Sequence, residues 1–507
     1  MSGDTNATPP NPPGTPLVAT GVPGLDSILG GGLTANRLYL VEGDPGSGKT
    51  TLALQFLFEG ARAGERGLYV TLSETKEELD GVARSHGWSL EPLTVCELIA
   101  SEESLRPDAQ PRMFHPSEVE LSETTTAVLG EVAKTNPARV VFDSLSEMRL
   151  LAQNSLRYRR QILSLKQFFS GRSCTILLLD DRTSEANDLQ LHSLSHGVVS
   201  LEHLSPEYGA ERRRMRVVKM RGKDFRGGYH DFVIRRGGLD VFPRLVAADH
   251  HAPFTPEVLS SGVPALDRLL GGGIDRGTSA LLMGPAGSGK SSIAIQYAVA
   301  AAARGERAVV FSFDESTGTM VVRSEGLGMG VKGHIDAGNL IVRQVDPAEL
   351  SPGEFAHAVR SAVERDKARV VVIDSLNGYL SAMPEERFLT IQLHELLTYL
   401  GQQGVVTIMV VAQHGLIGTS MHAPVDTSYL SDVVVLLRYF ETEGKILRAI
   451  SVVKKRSGGH EKTLREFGMG SDGLWLGEPL TQYQGVLTGV PQLTNLNGGP
   501  HPNGGAA

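Results

Sequence analysis

The stretch Gly43-Asp44-Pro45-Gly46-Ser47-Gly48-Lys49-Thr50 fits the pattern G-x-x-x-x-G-K-[ST], and Gly284-Pro285-Ala286-Gly287-Ser288-Gly289-Lys290-Ser291 fits it again. Such a loop needs a buried strand before it and a helix after it, because the helix directs its N-terminus at an anion held by the loop. The surroundings repeat with the loop. Thr20-Gly21-Val22-Pro23-Gly24-Leu25-Asp26 precedes the first and Ser261-Gly262-Val263-Pro264-Ala265-Leu266-Asp267 the second, followed by Gly30-Gly31-Gly32 and Gly271-Gly272-Gly273. This period is far too long for a solenoid and specifies two copies of one whole domain.

Hydrophobic patterning fills in each copy. In the first, Arg37–Glu42 is a short apolar run ending at the loop, and Leu52, Phe56, Leu57 and Ala61 have helical spacing across Thr51–Ala63. Gly67–Leu72, Cys174–Leu179, Gly197–Leu204 and Met215–Met220 read as strands, as does Arg139–Phe142, which ends at Asp143. Thr75–His86, Ala127–Lys134 and Tyr158–Phe169 read as helices. In the second copy the strands are Ser279–Met283, Ala308–Phe313, Val405–Val411 and Arg369–Ile373, which ends at Asp374; Ser292–Ala303 and Leu389–Leu400 are the helices. Strands alternating with helices predict an α/β class, each domain a mostly parallel sheet flanked by helices.

The expected divisions are a disordered N-terminal arm over 1–16, a first domain over 17–246, a linker over 247–257, a second domain over 258–478 and a flexible C-terminal tail over 479–507. In the linker, His250-His251 has no neighbour at metal-ligand spacing and reads as solvated chain. The length of 507 residues is ample for two buried cores, and 41% apolar with 21% charged residues fits a soluble globular protein. A net charge of −8 argues against nucleic acid as a partner. The densest basic run, Arg212-Arg213-Arg214, follows Glu211 and reads as a surface turn. Cys96 and Cys174 lack a C-x-x-C spacing and read as reduced, buried thiols. No apolar run approaches the roughly 18 residues of a membrane span, and the proline-rich start lacks a signal-peptide core. A cytoplasmic location is expected.

Closely spaced glycines let a backbone wrap its N–H groups around phosphates. Lys49 and Lys290 then reach the β- and γ-phosphates of ATP, Thr50 and Ser291 offer a hydroxyl to Mg²⁺, and Thr51 and Ser292 follow at the helix start. Asp143 and Asp374, each at the end of a strand downstream of a loop, are the carboxylates expected beside the metal. Hydrolysis also needs a group to orient or deprotonate the attacking oxygen. Leu72-Ser73-Glu74-Thr75 and Phe313-Asp314-Glu315-Ser316 end the next strands, so Glu74, Asp314 and Glu315 are the candidate bases. A carboxylate capping the following helix is the competing explanation.

Paired loops, the T/S-G-V-P-x-L-D lead-in, the triple-glycine turn and the acidic strand ends together resemble the KaiC family, the two-domain branch of the RecA-like P-loop NTPases, from about Thr20 to Trp475. Val218-Lys219-Met220-Arg221-Gly222 resembles the family's K-x-R-G element, and Val453-Lys454-Lys455-Arg456 its second-copy counterpart. The resemblance implies that Lys219, Arg221, Lys454 and Arg456 reach a neighbouring subunit's γ-phosphate. It also implies a double-ringed homohexamer, slow ATPase activity and serine/threonine autokinase activity in the second ring. The C-terminal tail, rich in Gly, Asn and Pro, is the expected docking segment for regulatory protein partners. Aligning Asp432–Tyr439 with the strand after the family's phosphoacceptors puts Ser428 and Tyr429 at the acceptor positions, with Thr427 adjacent. The second acceptor is thus Tyr instead of Thr. A further departure is that Ser73 and Asp314 replace the leading glutamates of the family's strand ends. Serine cannot act as a carboxylate base, so weaker hydrolysis is expected in the first copy. Two other readings stay open: a nucleotide-gated scaffold with little turnover, and a RecA-like DNA-handling ATPase.

Overall fold

A computed structural model describes residues 16–98, 116–152, 154–181, 190–381, 388–413, 429–488 and 492–493. The chain divides into two compact units, residues 1–244 and 245–507. The first is built on a nine-stranded sheet. From one edge its strands are Gly238–Phe242, His230–Arg235, Arg212–Met220, Gly197–Leu204, Leu38–Gly43, Thr175–Asp181, Arg139–Asp143, Gly67–Thr71 and Leu93–Glu97. The run from Gly197–Leu204 to Leu93–Glu97 is parallel, and the remaining edge is antiparallel.

The second unit repeats this order. Its central strand Ser279–Gly284 lies between Val406–Ala412 and Val433–Thr442. Beyond Val406–Ala412 come Ala368–Asp374, Arg307–Ser312 and Leu340–Gln344; beyond Val433–Thr442 come Lys445–Lys455, Arg465–Gly470 and Gly473–Pro479. These are tandem RecA-like α/β domains.

Both faces of each sheet are covered, as a parallel sheet requires. Along the first central strand, Tyr39 and Val41 pack with Leu52 and Phe56 of helix Lys49–Arg62, while Leu38 and Leu40 pack with Ile162 and Phe169 on the other face. The apolar run therefore anchors the loop from both sides. The sequence signal was weaker for Leu93–Glu97 and Leu340–Gln344, edge strands with only partial burial and little alternation.

Several expectations change. Arg212–Arg214 opens a strand instead of making a turn, and Arg214 is paired with Glu202 at 2.7 Å. The 247–257 segment is not simply solvated. Ala247 is buried, its N–H donates to Glu395 at 3.0 Å, and the carbonyl of His250 accepts from Gln403 at 2.6 Å. The tail expected from 479 onward is packed at its start, where Leu480 N–H donates to Leu464 and Val486 is buried against Phe440 and Ala449. Cys174 is buried but Cys96 only half-buried, and both are free thiols. Among the described residues no helix is long and apolar enough to cross a membrane.

Candidate functional site

Each loop leaves the C-terminal end of its central strand and runs into a helix that begins at the loop lysine, Lys49–Arg62 and Lys290–Ala303. The residue before each helix, Gly48 or Gly289, has φ of 98° or 104°, a left-handed conformation that favours glycine. A Cβ at Gly43 would lie 2.6 Å from the Leu201 carbonyl and 2.7 Å from Ser47 Oγ, so only glycine lets the backbone turn there.

Lys49 folds back over its own loop. Its Nζ donates to the carbonyls of Gly43 at 2.8 Å and Asp44 at 3.0 Å, and pairs with Asp181 at 2.6 Å. Lys290 donates to the carbonyl of Pro285 at 2.7 Å. Burial depresses its pKa to about 8, against the opposing pull of Asp374. Neutral carbonyls are replaceable partners for an ammonium group, which a phosphate would satisfy better. Ser47 Oγ, fully buried in the loop, has no partner.

The acidic strand ends lie beside the loop hydroxyls. Thr50 Oγ1 lies 3.3 Å from Asp143 Oδ2, and Ser291 stands beside Asp374. Burial raises the pKa of both aspartates; Tyr69, Lys49 and Thr50 oppose this at Asp143, Ser291 and Arg323 at Asp374. Among the described residues no group of three or more His, Cys, Asp or Glu could by itself hold a metal. Thr50 with Asp143, and Ser291 with Asp374, are hard oxygen groups of the kind that could hold a divalent cation such as Mg²⁺.

The candidate bases are held differently. Thr71 Oγ1 accepts from Glu74 N–H at 2.9 Å and donates to the Glu74 carbonyl at 2.7 Å, fixing the turn. Glu74 Oε2 is buried without a partner. Burial, then the charge of Asp143, pushes its pKa up to about 6. The helix-cap explanation does not apply to it, since Thr75 and Glu78 form the capping box of helix Lys76–Ser85. In the second unit Ser312 fixes the same turn through the Glu315 carbonyl at 2.6 Å. There Arg323 grips both oxygens of Glu315, at 3.1 and 2.8 Å, and also donates to Ser292 at 2.9 Å. Asp314 is exposed and accepts from Ser375.

Lys219, Arg221, Lys454 and Arg456 are not beside their own loops. Lys219 donates to the His192 carbonyl and Arg221 to that of Ser193 at 2.7 Å. Lys454 donates to Ser431 at 2.7 Å, and Arg456 donates to the Tyr429 carbonyl at 2.8 Å and pairs with Asp432 at 3.1 Å. These partners precede the strands Gly197–Leu204 and Val433–Thr442, which run parallel to the central strands; the cations therefore sit at the end of the sheet away from the loop. Tyr429 is exposed; Thr427 and Ser428 lie outside the described residues.

Asp181, Tyr69 and Arg323 were missed from sequence. Asp181 was discoverable by registering the copies: it pairs with Gly43, whereas Ala412 pairs with Gly284. Tyr69, which donates to Asp143, looked like any strand residue.

Fold and site together define a tandem RecA-like phosphate-loop protein. The family model "ATPase: KaiC" matches residues 18–246 and 259–480, and the chain belongs to this ATPase family. Among its relatives is the circadian clock protein KaiC3 of Synechocystis sp., 27% identical over 488 residues that cover 95% of each chain. The circadian clock oscillator protein KaiC of Synechococcus elongatus is 26% identical over 483 residues, covering 93% of this chain and 91% of that one.

Proposed function

We propose that the chain is a ring-forming ATPase with Mg²⁺-ATP at both loops, and that its second copy is a serine/threonine autokinase acting in signalling or timing. The observation that carries the ring is the position of the four cations. A strand rises about 3.3 Å per residue. The length of the central strand therefore keeps Lys219, Arg221, Lys454 and Arg456 from the loop of their own unit. Cations placed so can serve a phosphate only if another subunit's loop docks at that end, the logic of an arginine finger acting in trans.

Bound Mg²⁺-ATP would supply the transferable phosphoryl group and a cation to offset its negative charge. The chain's own groups have separate tasks. Lys49 and Lys290 exchange backbone carbonyls for phosphate oxygens. Thr50 with Asp143, and Ser291 with Asp374, orient the metal's surroundings. Glu74, with a buried and unpartnered oxygen, orients and deprotonates the attacking water. Glu315, with Asp314 beside it, does so once freed from Arg323. Ser428 is the proposed acceptor, with Thr427 and Tyr429 as neighbouring hydroxyls. The names of the relatives support the timing role.

Light scattering with and without Mg²⁺-ATP, followed by transfer from γ-labelled ATP and mapping of the label, tests this reading. Assembly on ATP addition and label on Ser428 are expected. A monomer at all nucleotide concentrations would sink the ring, and turnover without label would leave an ATPase scaffold.

A further inference from the structure

In the first unit the loop lysine is held by an acid of its own. Lys49 has three N–H donors, and each has an acceptor: the carbonyls of Gly43 and Asp44 and, at 2.6 Å, Asp181 Oδ1. Asp181 ends the strand Thr175–Asp181, where it pairs with Gly43 at the start of the loop. Its other oxygen, Oδ2, accepts from Ser146 Oγ at 3.2 Å, and Ser146 Oγ lies 2.7 Å from that of Ser144. The preceding Asp180 turns to the opposite face of the sheet and pairs with Arg149 at 2.9 Å. The carboxylate is therefore aimed at the lysine from a strand end fixed on both faces.

The second unit builds the same two positions without charge. Ala412 pairs with Gly284 where Asp181 pairs with Gly43. Asn377 stands three residues after Asp374, as Ser146 does after Asp143. Its side chain closes on the Ala412 backbone, donating to the carbonyl at 2.9 Å and accepting from the N–H at 2.7 Å. Ser146 holds a carboxylate, whereas Asn377 holds a main chain. The paired difference keeps each strand end fixed. It leaves an acid on Lys49 and a methyl group at the matching place in the second unit.

We propose that Asp181 sets the phosphate preference of the first loop, disfavouring a nucleoside triphosphate relative to a diphosphate, a bias the second loop lacks. This rests on the reading of both loops as nucleotide sites. A phosphate oxygen bonded to Lys49 Nζ at about 2.8 Å lies within about 5.5 Å of Asp181 Oδ1 as it stands. The Asp181 side chain is 29% exposed, so water and salt screen the repulsion only in part. Both nucleotides compete with the carboxylate for the lysine, but Mg²⁺-ATP brings one more negative charge than Mg²⁺-ADP. That extra charge meets Asp181 in the first unit and Ala412 in the second.

Calorimetric titration of the full-length Lys290→Ala chain with Mg²⁺-ADP and with Mg²⁺ β,γ-imido-ATP reads the first loop. Asp181→Asn keeps the side chain's size and an acceptor for Ser146 but removes the charge. It should raise the ratio of triphosphate to diphosphate affinity about tenfold, the scale of one unit charge several ångström away at partial exposure. Asp181→Glu, which keeps the charge, should leave the ratio near its starting value. The converse substitution, Ala412→Asp in the Lys49→Ala chain, should lower the ratio at the second loop and leaves the first strand end untouched. A ratio unchanged in both Asp181→Asn and Ala412→Asp, with both nucleotides still bound, would overturn the proposal and leave the nucleotide reading standing. A lower ratio in Asp181→Asn would also overturn it, by making the acid a partner of the bound triphosphate. Binding of neither nucleotide to the Lys290→Ala chain would remove the nucleotide reading and the proposal together.

Discussion

Glu74 and Glu315 occupy the same place in the two units, each in a turn pinned by a hydroxyl three residues earlier. Glu74 keeps a buried oxygen without a partner, whereas Glu315 has both oxygens on one guanidinium. The difference traces to one helix position. Eight residues after each glutamate stands Val82 in the first unit and Arg323 in the second. Val82 packs against the core, while Arg323 turns back to the carboxylate and to Ser292. A desolvated carboxylate with a raised pKa is a stronger proton acceptor; one in a bidentate ion pair is spoken for. The absence of a leading carboxylate at Ser73 argued for the first copy as the weaker hydrolase. The environment of Glu74 argues the reverse.

The largest expected effects come from the loop lysines. Lys49→Ala or Lys290→Ala should cut turnover at its own site on the order of 100-fold, the scale of removing one preorganised charge-stabilising donor. The comparison requires more residual phosphate release in Lys290→Ala than in Lys49→Ala, and the opposite ranking would break it. Next, Glu74→Gln in the Lys290→Ala chain should cost on the order of 100-fold in turnover with nucleotide affinity kept, the usual range for a general base. Glu315→Gln in the Lys49→Ala chain should cost much less. A smaller change is expected from Arg323→Ala in the Lys49→Ala chain. Releasing Glu315 should raise turnover by about tenfold, the worth of a charge-assisted hydrogen bond. A fall instead would mean that Arg323 is a working part of that site.

The pH profiles separate the sites most finely. The Glu74 pKa of about 6 lies above its ordinary value, so folding favours the protonated acid. As pH rises through this window the group costs stability while the base form accumulates. Turnover of the Lys290→Ala chain should therefore climb through about pH 6, and Glu74→Gln should flatten that limb. Lys290, at about 8, loses its charge as pH rises. Nucleotide affinity of the Lys49→Ala chain should fall a few-fold above that pH, since a titrating cation changes its charge over about one unit. A flat affinity would show that the lysine is held charged by its surroundings.

Much of the fold was legible because its signals are local. The runs before Gly43 and Gly284 are apolar on both faces, as strands buried between two helical layers must be. Asp143 and Asp374 stood out because both copies end a strand the same way. The strand at Leu93–Glu97 escaped because half-buried edge residues obey no clean period. The linker and the tail escaped because their contacts are made with residues remote in sequence, such as Glu395 and Phe440.

The sequence by itself determined that this chain folds as two copies of a phosphate-loop domain, since glycine spacing, lysine and hydroxyl are contiguous and their geometry follows from the backbone they permit. Only the tertiary structure decided which acids are free. Asp181 reaches Lys49, Tyr69 reaches Asp143 and Arg323 reaches Glu315 through folded proximity. The rise of Glu74 to about 6 comes first from desolvation, a property of surroundings.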